Sequence, residues 1–155
     1  MQKTKFNIVD FLIILILLLI VAIGIWYFSN IGDGHAIYTY FIVEITNMDP
    51  DFSELVAHGD PIRDAVRNYF LGYVVNVEAV PAVLVTFDAI NEQFITQNIP
   101  ERYDIYITIR GNGSQTASSI TTEGHQVRVG QEVFIRGRGY AGSGFLTNLW
   151  VENRN

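Results

Sequence analysis

The chain contains no cysteine, which excludes disulfides, iron–sulfur clusters and thiol catalysis. Lysine stops at Lys5, and no arginine appears before Arg63. From residue 29 onward, 15 of the 16 acidic residues stand against eight arginines, a balance near −7. That surface argues against recognising nucleic acid or an anionic membrane through a basic patch. Histidine is scarce as well. His35, His58 and His125 lack the H-x-x-H and H-E-x-x-H spacings of zinc sites and read as loop residues. No serine lies in a G-x-S-x-G elbow, and no acid–base pair stands apart from ordinary turn acids. The expected catalytic, metal and cofactor-binding sets are therefore empty, and the chain reads as a non-enzyme.

What is present begins with Phe11–Phe28, 18 residues without a charge or a strongly polar group. As a helix this run is about 27 Å long, close to the thickness of a bilayer core. It has no polar face, unlike the core helix of a soluble domain. Trp26 and Tyr27 lie at its far end, where amphipathic rings favour the headgroup region. Lys3 and Lys5 precede it, so the positive-inside bias places the N-terminus in the cytoplasm and the remainder outside. A cleaved signal peptide is the competing reading, with Ala22 and Gly24 as small residues; the apolar run exceeds the usual signal length and favours an uncleaved anchor. Asn7 is placed to cap the helix, with Asp10 at its third position. The expected organisation is a basic tail and cap over 1–10, a transmembrane helix over 11–28, a linker over 29–35 and a β-domain over 36–155.

The β reading rests on runs such as "AIYTYFIVEIT" (36–46), "PIRDAV", "LGYVVNVEAV", "AVLVTFD", "RYDIYITIR", "HQVRV", "QEVFIRG" and "GFLTNLWVE". Turn-formers separate them, among them "NMDPD", "GNGSQ" and the closing glycines. Short helical turns fit Asp51–Val56 and Ala89–Phe94. Gly137, Gly139 and Gly142 spell G-x-G-x-x-G, but no room remains after them for the helix that a dinucleotide loop needs, so a hairpin connection is expected. Asn47, Asp49 and Asp51 alternate as at the start of a calcium loop. Phe52 and His58 then occupy the positions where an EF-hand requires Gly and Glu, and a turn is expected instead. Arg63 with Arg67, and Arg136 with Arg138, suit either a defined anionic partner or internal ion pairs.

Two segments resemble each other. Gly59 and Gly130, Ile62 and Val133, and Gly72 and Gly144 correspond, as do "YVVNV" (73–77) and "FLTNL" (145–149). A duplicated strand–hairpin module, with pseudo-repeats 40–78 and 103–150, predicts an all-β small barrel behind one N-terminal helix. A sandwich is the alternative.

Family resemblances follow from these residues. A basic N-terminus, "FNIVD" (Phe6 to Asp10) entering one span, and a β-rich remainder together resemble the bacterial family called domain of unknown function 4330. That resemblance covers nearly all 155 residues and implies no established activity. "GDPIR" followed by "LGYVVNVE" (Gly59 to Val77) is similar to MCE lipid-transfer domains, which implies an oligomeric ring with a hydrophobic pore. Phe6 and Asp10 match the spacing of type IV pilin N-termini, although Lys5 stands where pilin processing requires glycine. The function expected is a non-catalytic binding or scaffold component of an envelope or cell-surface assembly. Its contacts would be the bilayer through residues 11–28 and a protein partner or further copies, with no nucleic acid. An MCE-like lipid-transfer component and a pilin-like filament subunit are the alternatives.

Overall fold

A computed structural model describes residues 8–30 and 35–154. The chain forms two compact units, Met1–Gly34 and His35–Asn155. In the first, helix α1 runs Ile8–Asn30, with Asp10 in its first turn where the helix dipole favours a negative charge. By length and composition, Ile8–Tyr27 is sufficient to cross a membrane. Ser29 and Asn30, expected in a linker, instead complete α1, and His35 already belongs to the first strand. The uninterrupted helix-compatible run explains the first extension. The Asn7 cap and residues 31–34 lie outside the described residues.

The second unit carries β1 (His35–Met48), α2 (Asp51–Leu55), β2 (Pro61–Asp64), β3 (Phe70–Asp88), β4 (Gln93–Gln115), β5 (Ile120–Thr122), β6 (His125–Val127), β7 (Glu132–Arg136) and β8 (Ala141–Asn153). All pairings are antiparallel. The order β1–β8–β7–β2–β3–β4 closes through a further β4–β1 ladder, so the sheet forms a ring. Each of these six strands is paired on both sides, which removes the free edges of an open sheet.

Period-2 alternation dictates which face turns inward. Along β1, Ile37, Thr39, Phe41, Val43 and Ile45 are buried; along β4, Ile105, Ile107 and Ile109 meet them. Ile62, Leu71, Val74, Ile135 and Leu146 fill the remaining interior. Phe52 and Val56 bring the α2 segment into the same core, and Phe52 packs edge-on against Tyr140.

The ladders on the two sides of the β2–β7 seam match. Ile62 faces Gly72 as Val133 faces Gly144. The Val74 carbonyl accepts from Gly59 N–H at 2.8 Å, as the Leu146 carbonyl accepts from Gly130 N–H at 2.7 Å. Val74 N–H donates to the Asp60 carbonyl, and Leu146 N–H to the Gln131 carbonyl.

Several boundaries differ from expectation. "GNGSQ" (111–115) is strand, not turn, because β1 and β5 pair on either side of it. Gly111 and Gly113 leave room there for the Thr122 and Thr39 side chains to rest on the strand. "LGYVVNVEAV" and "AVLVTFD" are one strand, β3, running through Pro81 at a register shift. Ala89–Phe94 is a turn entering β4, not a helical turn.

Beyond the ring, β3 and β4 continue as a two-stranded arm. At its root Pro81 faces Tyr103, yet Val83 already faces Asn98. Residues 99–102 therefore form a bulge, with Glu101 at φ 57° and Arg102 paired to Asp49 at 2.7 Å. Such a bulge bends the strand that carries it.

Candidate binding surface

β2 and β7 alternate in the same sense. Ile62 and Asp64 point inward and Pro61 and Arg63 outward; Val133 and Ile135 point inward and Glu132, Phe134 and Arg136 outward. The two strands meet with Arg63 opposite Arg136. Partners across a rung share a face, and like charges placed so are destabilising.

A neutral group answers the pair. After β2 the Asp64 carboxylate accepts from the N–H groups of Val66 at 2.9 Å and Arg67 at 2.6 Å. Asn68 N–H returns to the Asp64 carbonyl at 2.9 Å, and the turn leaves Asn68 at φ 60°. Asparagine tolerates this left-handed conformation better than most residues. Its side-chain oxygen accepts from Arg136 Nη2 at 2.7 Å, and its backbone carbonyl from Arg63 Nη1 at 3.2 Å. One residue thus orients both guanidiniums without neutralising either. Among the described residues the ion pair within 4.0 Å is Arg102–Asp49, far along the chain from this seam.

Aromatic rings border the pair. The Arg63 guanidinium lies 6.0 Å from the Phe70 ring centre, and Phe70 meets Tyr73 edge-on at 5.0 Å. Tyr73, Phe134 and Phe145 are each exposed. An orienting acceptor, two uncompensated guanidiniums and flat apolar surface together suit an anionic group carried beside an apolar or ring-like body. The sequence singled out Arg63, Arg67, Arg136 and Arg138. The structure brings Arg63 and Arg136 together, while Arg67 and Arg138 lie in the exposed turns that follow their strands. Asn68 and the bordering aromatics had not been singled out. A polar residue able to adopt positive φ inside "DAVRNY" is the signal that could have drawn attention to it.

The other flagged residues lie elsewhere. His58 is exposed in the turn before β2, and His125 stacks on Tyr69 with ring centres 3.7 Å apart. Asp49 pairs with Arg102, and Asn47 N–H donates to the Asp104 carboxylate at 2.9 Å. Gly137–Tyr140 turns β7 into β8, so G-x-G-x-x-G joins two antiparallel strands. Tyr140 packs over Gly137, and among the described residues its buried hydroxyl has no partner at hydrogen-bonding geometry. Burial, and secondarily the nearby Asp60 carboxylate, push that hydroxyl's pKa well above the ordinary tyrosine value.

Compared with known proteins, the chain matches the family model described as Domain of unknown function (DUF4330) over residues 2–149. No curated protein and no solved structure matches it.

Proposed function

The chain belongs to the DUF4330 family, and from that premise we propose that it is a membrane-anchored, non-catalytic binding domain whose Arg63–Arg136 face engages an anionic partner in the cell envelope. Ile8–Tyr27 serves as the single anchor, with the N-terminus cytoplasmic and the β-domain outside. The closed ring is read as a small barrel, filled rather than hollow, since Phe41, Val43, Ile107, Ile109 and Leu146 have no exposure. The matched ladders about the seam support the duplicated module over 40–78 and 103–150.

The observation that carries the reading is the shared acceptor, Asn68, between two arginines that have no ion pair among the described residues. What sets these two apart from the domain's other arginines is that they share one rung and one neutral acceptor. A phosphate or carboxylate supplied by the partner completes the arrangement.

Binding of pyrophosphate and of a polyglutamate probe to the full chain in detergent, followed by calorimetry at low salt, tests it. A charge-assisted hydrogen bond contributes roughly 1.5–3 kcal/mol, so Arg63→Gln with Arg136→Gln should weaken binding by about tenfold or more. Arg128→Gln, on another exposed stretch, should leave it within about twofold after allowance for screening. Equal binding by the double variant and the parent sinks the proposal.

A further inference from the structure

β3 and β4 extend beyond the ring as an arm with exposed apolar side chains. Six rungs, from Val83–Asn98 to Asp88–Gln93, pair these strands only with each other. The β1–β4 ladder has already ended at Met48–Tyr103. Both outer edges of the arm therefore lack a strand partner among the described residues. The tip is well defined, because the Asp88 carboxylate accepts from Ile90 N–H, Asn91 N–H and Asn91 Nδ2.

Rungs alternate between the two faces of the ribbon. One face carries Val83, Val85, Phe87 and Phe94 beside Thr96 and Asn98, without an ionisable group. Phe87 and Phe94 meet edge-on at 5.3 Å, which stiffens that face near the tip. Nevertheless Phe94 is 75% exposed, Val85 60% and Phe87 52%, and Ile90 beyond them 92%. Val83, Val85, Phe87 and Phe94 together leave on the order of 450 Å² in water, within the range of the largest apolar patch on a monomer. That is a little over half of the roughly 800 Å² that each partner contributes to a standard interface.

The composition of the arm selects among occupants. Residues 79–100 contain no lysine, arginine, tryptophan or tyrosine, and their charges are Asp88 and Glu92 near the tip. A segment that rests on a bilayer pairs an apolar side of Trp, Phe or Leu with Lys or Arg for the headgroups, and this arm has the first without the second. An acidic tip is repelled by an anionic leaflet. A charged partner finds nothing to pair with on the apolar face. A second copy presents the one surface sure to match: the same uncharged face, which a twofold axis brings onto itself without burying a charge.

We propose that the arm is a self-association element, in which the Val83–Val85–Phe87–Phe94 face packs on the same face of a second copy about a twofold axis. The two ribbons stack as sheets do, about 10 Å apart. The interface is separate from the arginine face and stands whether or not that face binds an anion.

The absence of cysteine permits a clean test. Thr96 lies at mid-ribbon on the apolar face, opposite Val85, whereas Glu132 is exposed on the outside of the ring. Full-length Thr96→Cys and Glu132→Cys chains, diluted below one copy per detergent micelle, are treated with a short bismaleimide linker. Thr96→Cys should yield covalent dimer at least about tenfold more efficiently than Glu132→Cys. Phe87→Ser with Phe94→Ser, both solvent-exposed changes that leave the ring intact by near-ultraviolet circular dichroism, should abolish that excess. Arg63→Gln with Arg136→Gln should retain it. Equal yields from the two thiol variants, or a yield untouched by the serine substitutions, overturns the proposal. So does a dye on the introduced thiol of the Thr96→Cys chain that shifts blue in phosphatidylcholine nanodiscs holding a single chain, because the occupant is then the bilayer.

Discussion

Gly72 passes so close to the Arg110 carbonyl that a β-carbon built on it overlaps that oxygen, and Gly144 stands in the same relation to the Glu44 carbonyl. Each glycine lies where a hairpin strand crosses a long strand of the ring. The obstacle is backbone in a closed sheet, so it cannot move aside without opening a ladder. Gly72→Ala and Gly144→Ala should each cost about 3 kcal/mol, the upper part of the usual overpacking range. Urea unfolding of the detergent-solubilised chain, followed by fluorescence of Trp150 stacked on Tyr40, would measure it. A cost below about 1 kcal/mol at both sites would contradict the close approach.

Thr122 is fully buried and donates to the Leu71 carbonyl at 3.0 Å, holding the β5–β6 hairpin against the start of β3. Thr122→Val keeps the shape and removes the donor. The stranded carbonyl should cost about 1–2 kcal/mol in the same unfolding measurement. Thr122→Ser should recover much of the hydrogen-bond contribution while losing a methyl group, and a valine variant as stable as the parent would refute the peg.

Tyr140 sets an alkaline limit. Burial first, then the Asp60 charge, raise its pKa above 10.0. Tyr69 is raised by burial and then by Asp64, and Tyr106 by its hydrogen bond to Glu44 and then by burial. The folded chain therefore holds these protons more tightly than the unfolded one. Their contribution is complete below about pH 10 and declines as pH rises beyond it. Melting temperature should accordingly fall between about pH 10 and pH 12. Tyr140→Phe should reduce that slope and, having removed an unpartnered hydroxyl, cost under about 1 kcal/mol at neutral pH. An unchanged slope in the variant would show that Tyr140 is not the group responsible.

Protease added to intact protoplasts should remove the β-domain and leave a small embedded fragment containing residues 8–27. Protection until lysis would reverse the orientation. Release of an intact soluble domain without protease would point to a cleaved leader.

Legibility in the sequence followed burial. α1 was plain because nothing polar interrupts its stretch Phe11–Phe28, and β1 because Ile37, Thr39, Phe41, Val43 and Ile45 alternate with half-buried neighbours. The glycine pairs 59/130 and 72/144 were visible because they occupy equivalent turns and crossings. Opposition of Arg63 to Arg136 was not, since ring closure rather than local pattern decides which strands become neighbours. Glycines in "GNGSQ" suggested a turn because glycine serves close packing and reversal alike. The arm escaped notice for a related reason: Val83, Val85 and Phe87 alternate just as core residues do, and periodicity cannot say whether a partner is there.

The bulge at residues 99–102 separates the register of the arm from that of the ring, which has a consequence for how the family can vary in length. Residues added to or removed from each strand two at a time, in step with their cross-strand partners, change the chain by four and keep every side chain on its original face. A single insertion would turn Val85 and Phe87 to the opposite side or force a second bulge. Relatives should therefore differ between positions 83 and 98 mostly by multiples of four residues, while the segments on either side keep their spacing. A collection of homologues in which differences of two and of four residues occur equally would show that the two faces of the ribbon are interchangeable.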